Sequence, residues 1–364
     1  MLVRKIVRQT RLPLLIIAGL GLIVLVCIGT PKAWTAGDFE GPLAAARAIV
    51  SGRDPLAIAP LDDRYIPYPL TAATFILPLL LVPPIVISML VVVALMAALH
   101  LLTQQNAPAA PPWGPLLVLA YVPLIFNLQL IQWAPLLLLA LGLHEAFVRA
   151  ADRRRRWAWL GAGLLCMPLI VKAQLVPMLV LPVLTMLVLE RRWRILLATM
   201  AGWCLLVGLS LVLRPLWPFT WWQQTRPFAG TYPAPAFAAG WVGLIPLVLA
   251  GLVVFVAWKR RDNALLRVAL LVAVSLVTPQ RALYEAAILV APLTLVLRRP
   301  RIALAVVALS WLIPFQQFLQ IDPDHLLLFS VFLPMIIALL MVLQPAPNPQ
   351  LTRRIASSSS TLHN

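Results

Sequence analysis

The sequence predicts an all-α polytopic membrane protein, and three observations carry that reading. Of its 364 residues, 62% are hydrophobic and 11% charged, with a mean hydropathy of +0.94; soluble domains run at about half apolar and a quarter charged. The 34 prolines exceed the usual share and mark membrane helices that are short, broken or entered from loops, which lipid tolerates where the break lines a cavity. Of the 29 basic residues, 21 gather in clusters between apolar runs. A net charge of +17 in a soluble chain would suggest nucleic acid, but here its position along the chain reads as topology.

Taken in order, Arg4, Lys5, Arg8 and Arg11 precede an apolar run from Leu12 to Ile28, long enough to span. With no small-residue cleavage site behind it, this run is expected to be a retained signal anchor. Five further clusters follow: Arg149 with Arg153 to Arg156; Arg191, Arg192 and Arg194; Lys259 to Arg261 with Arg267; Arg298, Arg299 and Arg301; Arg353 with Arg354. The positive-inside rule puts all six in the cytoplasm. The stretches between them must then cross an even number of times, so 157–189, 195–257, 268–297 and 302–343 each read as a two-span hairpin. Their outer turns fall near Lys172, across Arg214 to Trp241, at Thr278 to Glu285 and around Ile321 to His325. Residues 114–148 form one more hairpin, turning at Asn127, Gln129 and Gln132. Between them and the first span lie a long outer loop (31–68), a short half-inserted helix (69–82), the Pro83-Pro84 break and one span (85–103). The expectation is about twelve spans in one membrane domain over 1–343, with both ends inside. The serine- and proline-rich tail, 344–364, reads as a disordered cytoplasmic extension.

This topology assigns the whole excess of positive charge to the inner face and leaves eight charges of each sign outside. Nucleic acid drops out as a partner, and the outer charges become the candidates for function. The first outer loop holds Asp38, Glu40, Asp54, Asp62 and Asp63. Pro42 and Ser51-Gly52 bracket an interfacial helix from about Gly41 to Val50. Asp38 could be its N-cap, yet a carboxylate pair beside lipid costs several kcal/mol of hydration unless it has a task. Lys172 either snorkels or pairs with an anion. Arg281 and Glu285 are one helical turn apart and could bridge each other. Gln132 beside Trp133 could be interfacial anchoring, as could the loop with Trp217, Trp221, Trp222, Gln223, Gln224, Arg226 and Tyr232. Together, a carboxylate pair, a Lys, an Arg and a Gln delivered to one membrane face by separate hairpins read as a site.

Cys27, Cys166 and Cys204 lack ligand spacing, and His100, His144, His325 and His363 form no i, i+4 pair. No metal site or phosphate-binding loop is indicated. No cofactor is expected; a divalent cation bridging Asp38 and Glu40 is compatible with the pattern, but nothing calls for it.

Four landmarks resemble the GT-C superfamily of integral-membrane glycosyltransferases, within it family 87, the polyprenol-phosphate-dependent transferases. They are Asp38-Phe39-Glu40 after the first span with Gly52 to Pro55 and Tyr68-Pro69; the Gln132 turn; Gly161 to Lys172 followed by Glu190 to Arg194; and Thr278 to Glu285 leading to Pro292. Ile131 stands where the family has Gly, and Ala173 where it has Pro. The resemblance implies a GT-C-type fold and an inverting transfer of a hexose, with mannose the leading candidate, from a polyprenyl-phosphate donor to a lipid or glycan acceptor. It implies Asp38 as catalytic base, Glu40 as its acidic partner, Lys172 and Arg281 on the donor phosphate, and Gln132, Tyr68, Tyr284 and Glu285 as substrate-binding. The bacterial inner membrane is the expected location and membrane lipids the surroundings. The competing reading is a transporter or lipid flippase binding an anionic headgroup; transporters tend to show internal repeats and mid-membrane charges, and this chain shows neither.

Overall fold

The computed structural model describes residues 2–56, 68–153, 155–228, 233–279, 283–319 and 322–343. Asp62, Asp63, Tyr232, Arg281 and the tail from 344 lie outside the described residues. All regular structure among the described residues is helical: α1 (Leu2–Gly29), α2 (Glu40–Val50), α3 (Leu70–Ile76), α4 (Pro84–Asn106), α5 (Gly114–Leu119), α6 (Val122–Gln129), α7 (Ala134–Asp152), α8 (Ala158–Leu164), α9 (Val176–Leu189) and α10 (Trp193–Leu213). Then come α11 (Trp217–Thr225), α12 (Pro235–Ala238), α13 (Leu244–Lys259), α14 (Asn263–Val277), α15 (Val290–Val296), α16 (Pro300–Ser310), α17 (Gln316–Leu319), α18 (Pro323–Leu327) and α19 (Leu333–Leu343).

The prolines explain much of this segmentation. Pro84, Pro115, Pro123, Pro135, Pro177, Pro235 and Pro300 sit in or at the first turns of their helices, where a missing N–H removes no hydrogen bond. Pro13 and Pro182 lie further inside their helices. The Pro83-Pro84 break separates α3 and its 3-10 extension, Leu77–Leu81, from the long α4. α2 begins one residue before Gly41 and closes at Ser51, where Gly52 adopts a φ of +69°.

Six helices are long and apolar enough to cross a bilayer: Thr10–Gly29, Pro84–Asn106, Ala134–Asp152, Trp193–Leu213, Gly240–Lys259 and His325–Leu343. Shorter apolar helices run over Leu70–Leu81, Ala158–Ile170, Val176–Leu189, Asn263–Val277, Leu283–Val296 and Pro300–Phe315. The chain is therefore a helical membrane protein in architecture. Its outside agrees: Ile17, Leu25 and Ile28 on α1 and Leu197 and Val212 on α10 are exposed, a face that suits lipid and would be costly in water.

Inside, helices meet through small residues and satisfied hydroxyls, as lipid-embedded bundles require. α8 lies so close to α10 that a Cβ on Gly163 would stand 2.4 Å from the Cβ of Ala198. Ser210, Ser275 and Ser330 return their hydroxyls to carbonyls one turn back, and Asn106 Nδ2 donates to Thr294 Oγ1 at 2.9 Å.

Side-chain contacts tie the basic clusters to one end of the bundle. Arg192 grips Asp152 with two hydrogen bonds, at 2.6 and 3.1 Å, and also pairs with Glu190. Glu190 accepts from Asn263 at 3.0 Å, and Arg267 pairs with Glu145. Arg11 donates to Ala110 O at 2.7 Å and Arg298 to Asn106 O at 2.6 Å, so the connection after α4 shares that end.

Gly163→Val should force α8 from α10 and cost about 1–3 kcal/mol. An unchanged unfolding midpoint in detergent would refute the close approach.

Candidate active site

The opposite end of the bundle gathers the polar residues. After α1 the chain makes a 3-10 turn over Pro31–Trp34, whose Ala33 carbonyl accepts from Ser88 Oγ on α4 at 2.9 Å. Ala36 and Gly37 then take φ values of +64° and +52°. This reversal presses the backbone against the turn after α6: a Cβ on Gly37 would lie 2.2 Å from Leu130 O. Only glycine fits there. The next amide, Asp38 N, donates to Leu130 O at 3.2 Å, so the carboxylate of Asp38 is placed by backbone docked on backbone.

The turn that receives it is itself unusual. Gln132 N bonds to Asn127 O and Ile131 N to Leu128 O, at 3.0 and 3.1 Å, while Ile131 has a φ of +49°. These are the paired hydrogen bonds of a Schellman terminator, with Ile131 at the left-handed position that glycine usually fills. A β-branched residue pays of order 1–3 kcal/mol of backbone strain there, and such strain clusters at functional sites. The departure at Ile131 thus falls on the one residue of this turn whose conformation favours glycine. Full burial of its side chain helps hold it in place.

Lys172 emerges from the connection between the 3-10 turn Met167–Ile170 and α9, and it is 4% exposed. Its ammonium donates to Gln132 Oε1 at 2.6 Å and to Asp38 Oδ2 at 3.1 Å. Glu285 Oε1 stands 4.0 Å away, and the Tyr284 ring centroid 5.1 Å. Burial works against the charge, and the carboxylates of Asp38 and Glu285 outweigh it, raising the lysine pKa above its usual value. Lys172 therefore pairs rather than snorkels.

Asp38 does not cap α2. The cap position is Phe39, and no side chain bonds there. Tyr68 Oη and Lys172 Nζ both donate to Asp38 Oδ2. Oδ1 has no protein partner among the described residues, and 22% of the side chain is open to solvent. Gln132 is buried and anchors no interface.

Six of the eight residues picked out in the sequence thus converge: Asp38, Tyr68, Gln132, Lys172, Tyr284 and Glu285. Glu40 does not join them. It opens α2, where a carboxylate suits the helix dipole, and it has no hydrogen-bond or ion-pair partner among the described residues. Arg281 lies outside the described residues. Trp133 and Asn127 acquire roles that local sequence could not assign. Trp133 is fully buried, its ring centroid 4.3 Å from that of Phe39 and 6.1 Å from that of Tyr68, and its indole N–H has no partner among the described residues. Asn127 donates to Tyr284 O at 3.0 Å, while its own side-chain carbonyl has no partner among the described residues. Orphaned buried groups beside a polar cluster mark room for a water or a ligand.

The second large loop packs on the first. Arg214 pairs with Asp54 at 2.5 Å, Gln224 donates to Leu56 O at 2.9 Å, and Trp217 is buried among Ala46, Leu56, Leu70 and Ala73. Trp222 stays exposed. Among the described residues no three His, Cys, Asp or Glu side chains converge as a metal set would. Comparison with protein-family models, curated proteins and solved structures gives no match.

Removing the cation should be costlier than removing one of its carboxylates. Lys172→Met is expected to destabilise by about 3–5 kcal/mol, because it removes the buried positive charge that Asp38 and Glu285 share. The Lys172→Met/Glu285→Gln double variant should lose less than the sum. Strict additivity in detergent unfolding would mean the two side chains do not interact.

Proposed function

We propose that this chain is an inverting glycosyltransferase of the GT-C type. It moves a hexose, with mannose the leading candidate, from a polyprenyl-phosphate donor to a lipid or polysaccharide acceptor on the outer face of a bacterial inner membrane. The observation that carries the reading is the state of Asp38. One carboxylate oxygen is tethered by Tyr68 and Lys172, the other has no protein partner among the described residues, and 22% of the side chain is open to solvent. A general base needs that arrangement: fixed orientation, and one lone pair within reach of an incoming hydroxyl.

In the proposed reaction the acceptor hydroxyl gives its proton to Asp38 Oδ1 as its oxygen attacks the anomeric carbon. The bond from that carbon to the phosphate oxygen breaks, and polyprenyl phosphate leaves with the electron pair. A single displacement inverts the configuration. Cations placed where negative charge develops favour the leaving group. Lys172 alone is surrounded by two carboxylates, so a phosphate there needs a second positive charge, and Arg281, three residues before Tyr284 in the sequence, is assigned that part. Gln132 fixes the ammonium, Tyr284 and Glu285 its far side, and Tyr68 the base. Glu40 is given a lesser part, because it stands apart from the cluster. No cofactor enters this scheme.

The twelve-span topology belongs to the same proposal. It takes the six long helices, five of the shorter ones and the broken pair α5–α6 as crossings, and it leaves α3 with its 3-10 extension half-inserted. Contacts of Arg11 and Arg298 with the connection after α4 support one shared inner end. Single cysteines at 104–112 should resist an impermeant maleimide in intact cells; labelling from outside would overturn the topology.

Asp38→Asn keeps the shape and removes the base. With a radiolabelled polyprenyl-phosphate hexose and membrane lipid extract, transfer should fall by at least about a hundredfold with insertion unchanged. Full activity in that variant, or no label transferred by the parent protein, would sink the reading.

A further inference from the structure

At the basic end, far from Asp38, the turns that follow α7 and α9 enclose an open cleft of about 770 Å³, within the size range of small-ligand sites. Arg155, Arg156, Arg191 and Arg194 line it together with Trp157 and Trp193. The acid in its lining, Asp152, is already taken by the fork of Arg192. The four lining arginines have no carboxylate partner among the described residues. They are exposed, and so are the two indoles, 61% and 54% respectively.

Topology alone does not require this gathering. The positive-inside rule counts basic residues in each connection; it does not bring two connections, separate in sequence, around one concavity. Both turns are closed by residues in the left-handed region, Trp157 at φ +68° and Arg191 at φ +55°. Arg191 sits at the left-handed position of a Schellman terminator, with Arg192 N bonded to Leu187 O and Arg191 N to Val188 O. The guanidinium of Arg156 lies 5.8 Å from the Trp157 ring centroid, a cation–π pair that holds charge and indole side by side. Four like charges around one opening repel, and an anion between them offsets the repulsion. Tryptophan prefers the headgroup level of a bilayer, and a planar guanidinium fork fits a phosphate with two hydrogen bonds.

We propose that this cleft binds the headgroup of an anionic phospholipid in the leaflet at the basic end, with the arginines on its phosphate and the two tryptophans at the boundary with its acyl chains. The site is independent of the glycosyltransferase reading. It commits to a lipid rather than a soluble anion because the indoles flank the phosphate-binding groups.

The test uses the full-length protein in nonionic detergent, titrated with phosphatidylglycerol, phosphatidylcholine or inorganic phosphate, with bound lipid counted by native mass spectrometry. Phosphatidylglycerol should bind well above phosphatidylcholine and above phosphate alone. Each arginine beside an anionic headgroup is worth roughly fivefold in affinity, so R155Q/R156Q/R194Q should weaken binding by on the order of a hundredfold. R155K/R156K/R194K keeps every topological charge and removes only the forks; it should lose affinity by several-fold with an unchanged unfolding midpoint. Equal binding of the two lipids, phosphate binding as tightly as phosphatidylglycerol, or parental affinity in the lysine variant would each overturn the proposal. If the glutamine variant fails to insert, the lysine variant decides alone.

Discussion

A single buried ammonium organises the polar end of this bundle. Lys172 reaches Asp38 from the first connection, Gln132 from the turn after α6, and Glu285 and Tyr284 from the segment before α15. These residues lie on four separate stretches of chain, and each would be costly to bury alone in a membrane protein. Opposite charges share one lysine, and the amide of Gln132 completes its coordination. That mutual dependence makes the constellation a tertiary feature.

The helices around this cluster differ in length. α9 has 14 residues and rises about 21 Å, while α4 has 23 and rises about 35 Å. Both reach the basic end, α9 through Glu190 and its bonds to Arg192 and Asn263, and α4 through Asn106. α9 is thus the shorter of the two by about 14 Å along its axis, and Lys172 lies in the irregular stretch just ahead of it. Irregular backbone among apolar helices is tolerated where protein surrounds it, and Lys172 is buried.

Much of this was legible in the residues. The charge clusters and apolar runs singled out Lys172, Gln132 and the Tyr284-Glu285 pair as lying between the long helices, as they do. Pro42 and Gly52 marked the two ends of α2. Other features were not legible. Asp38 and Glu40 look alike along the chain, and only the 3-10 turn over Gly37–Phe39 separates them, sending one to Lys172 and the other to the first turn of α2. Trp133 and Asn127 passed as an anchor and a turn residue, because an unpartnered buried atom is visible only when its neighbours are known. The strain at Ile131 was visible only as a departure from a glycine.

By itself, the sequence determined that the chain is a bundle of apolar helices, which segments form them and which charges share an end, because hydropathy, proline and basic residues act locally along the chain. The tertiary structure decided which of those charges meet. Whether Lys172 snorkels or pairs, and whether Asp38 caps a helix or meets that lysine, depends on distances between stretches more than a hundred residues apart. Those distances follow from close docking, Gly37 on Leu130 and Gly163 on Ala198, and such docking belongs to the packed bundle rather than to any single segment.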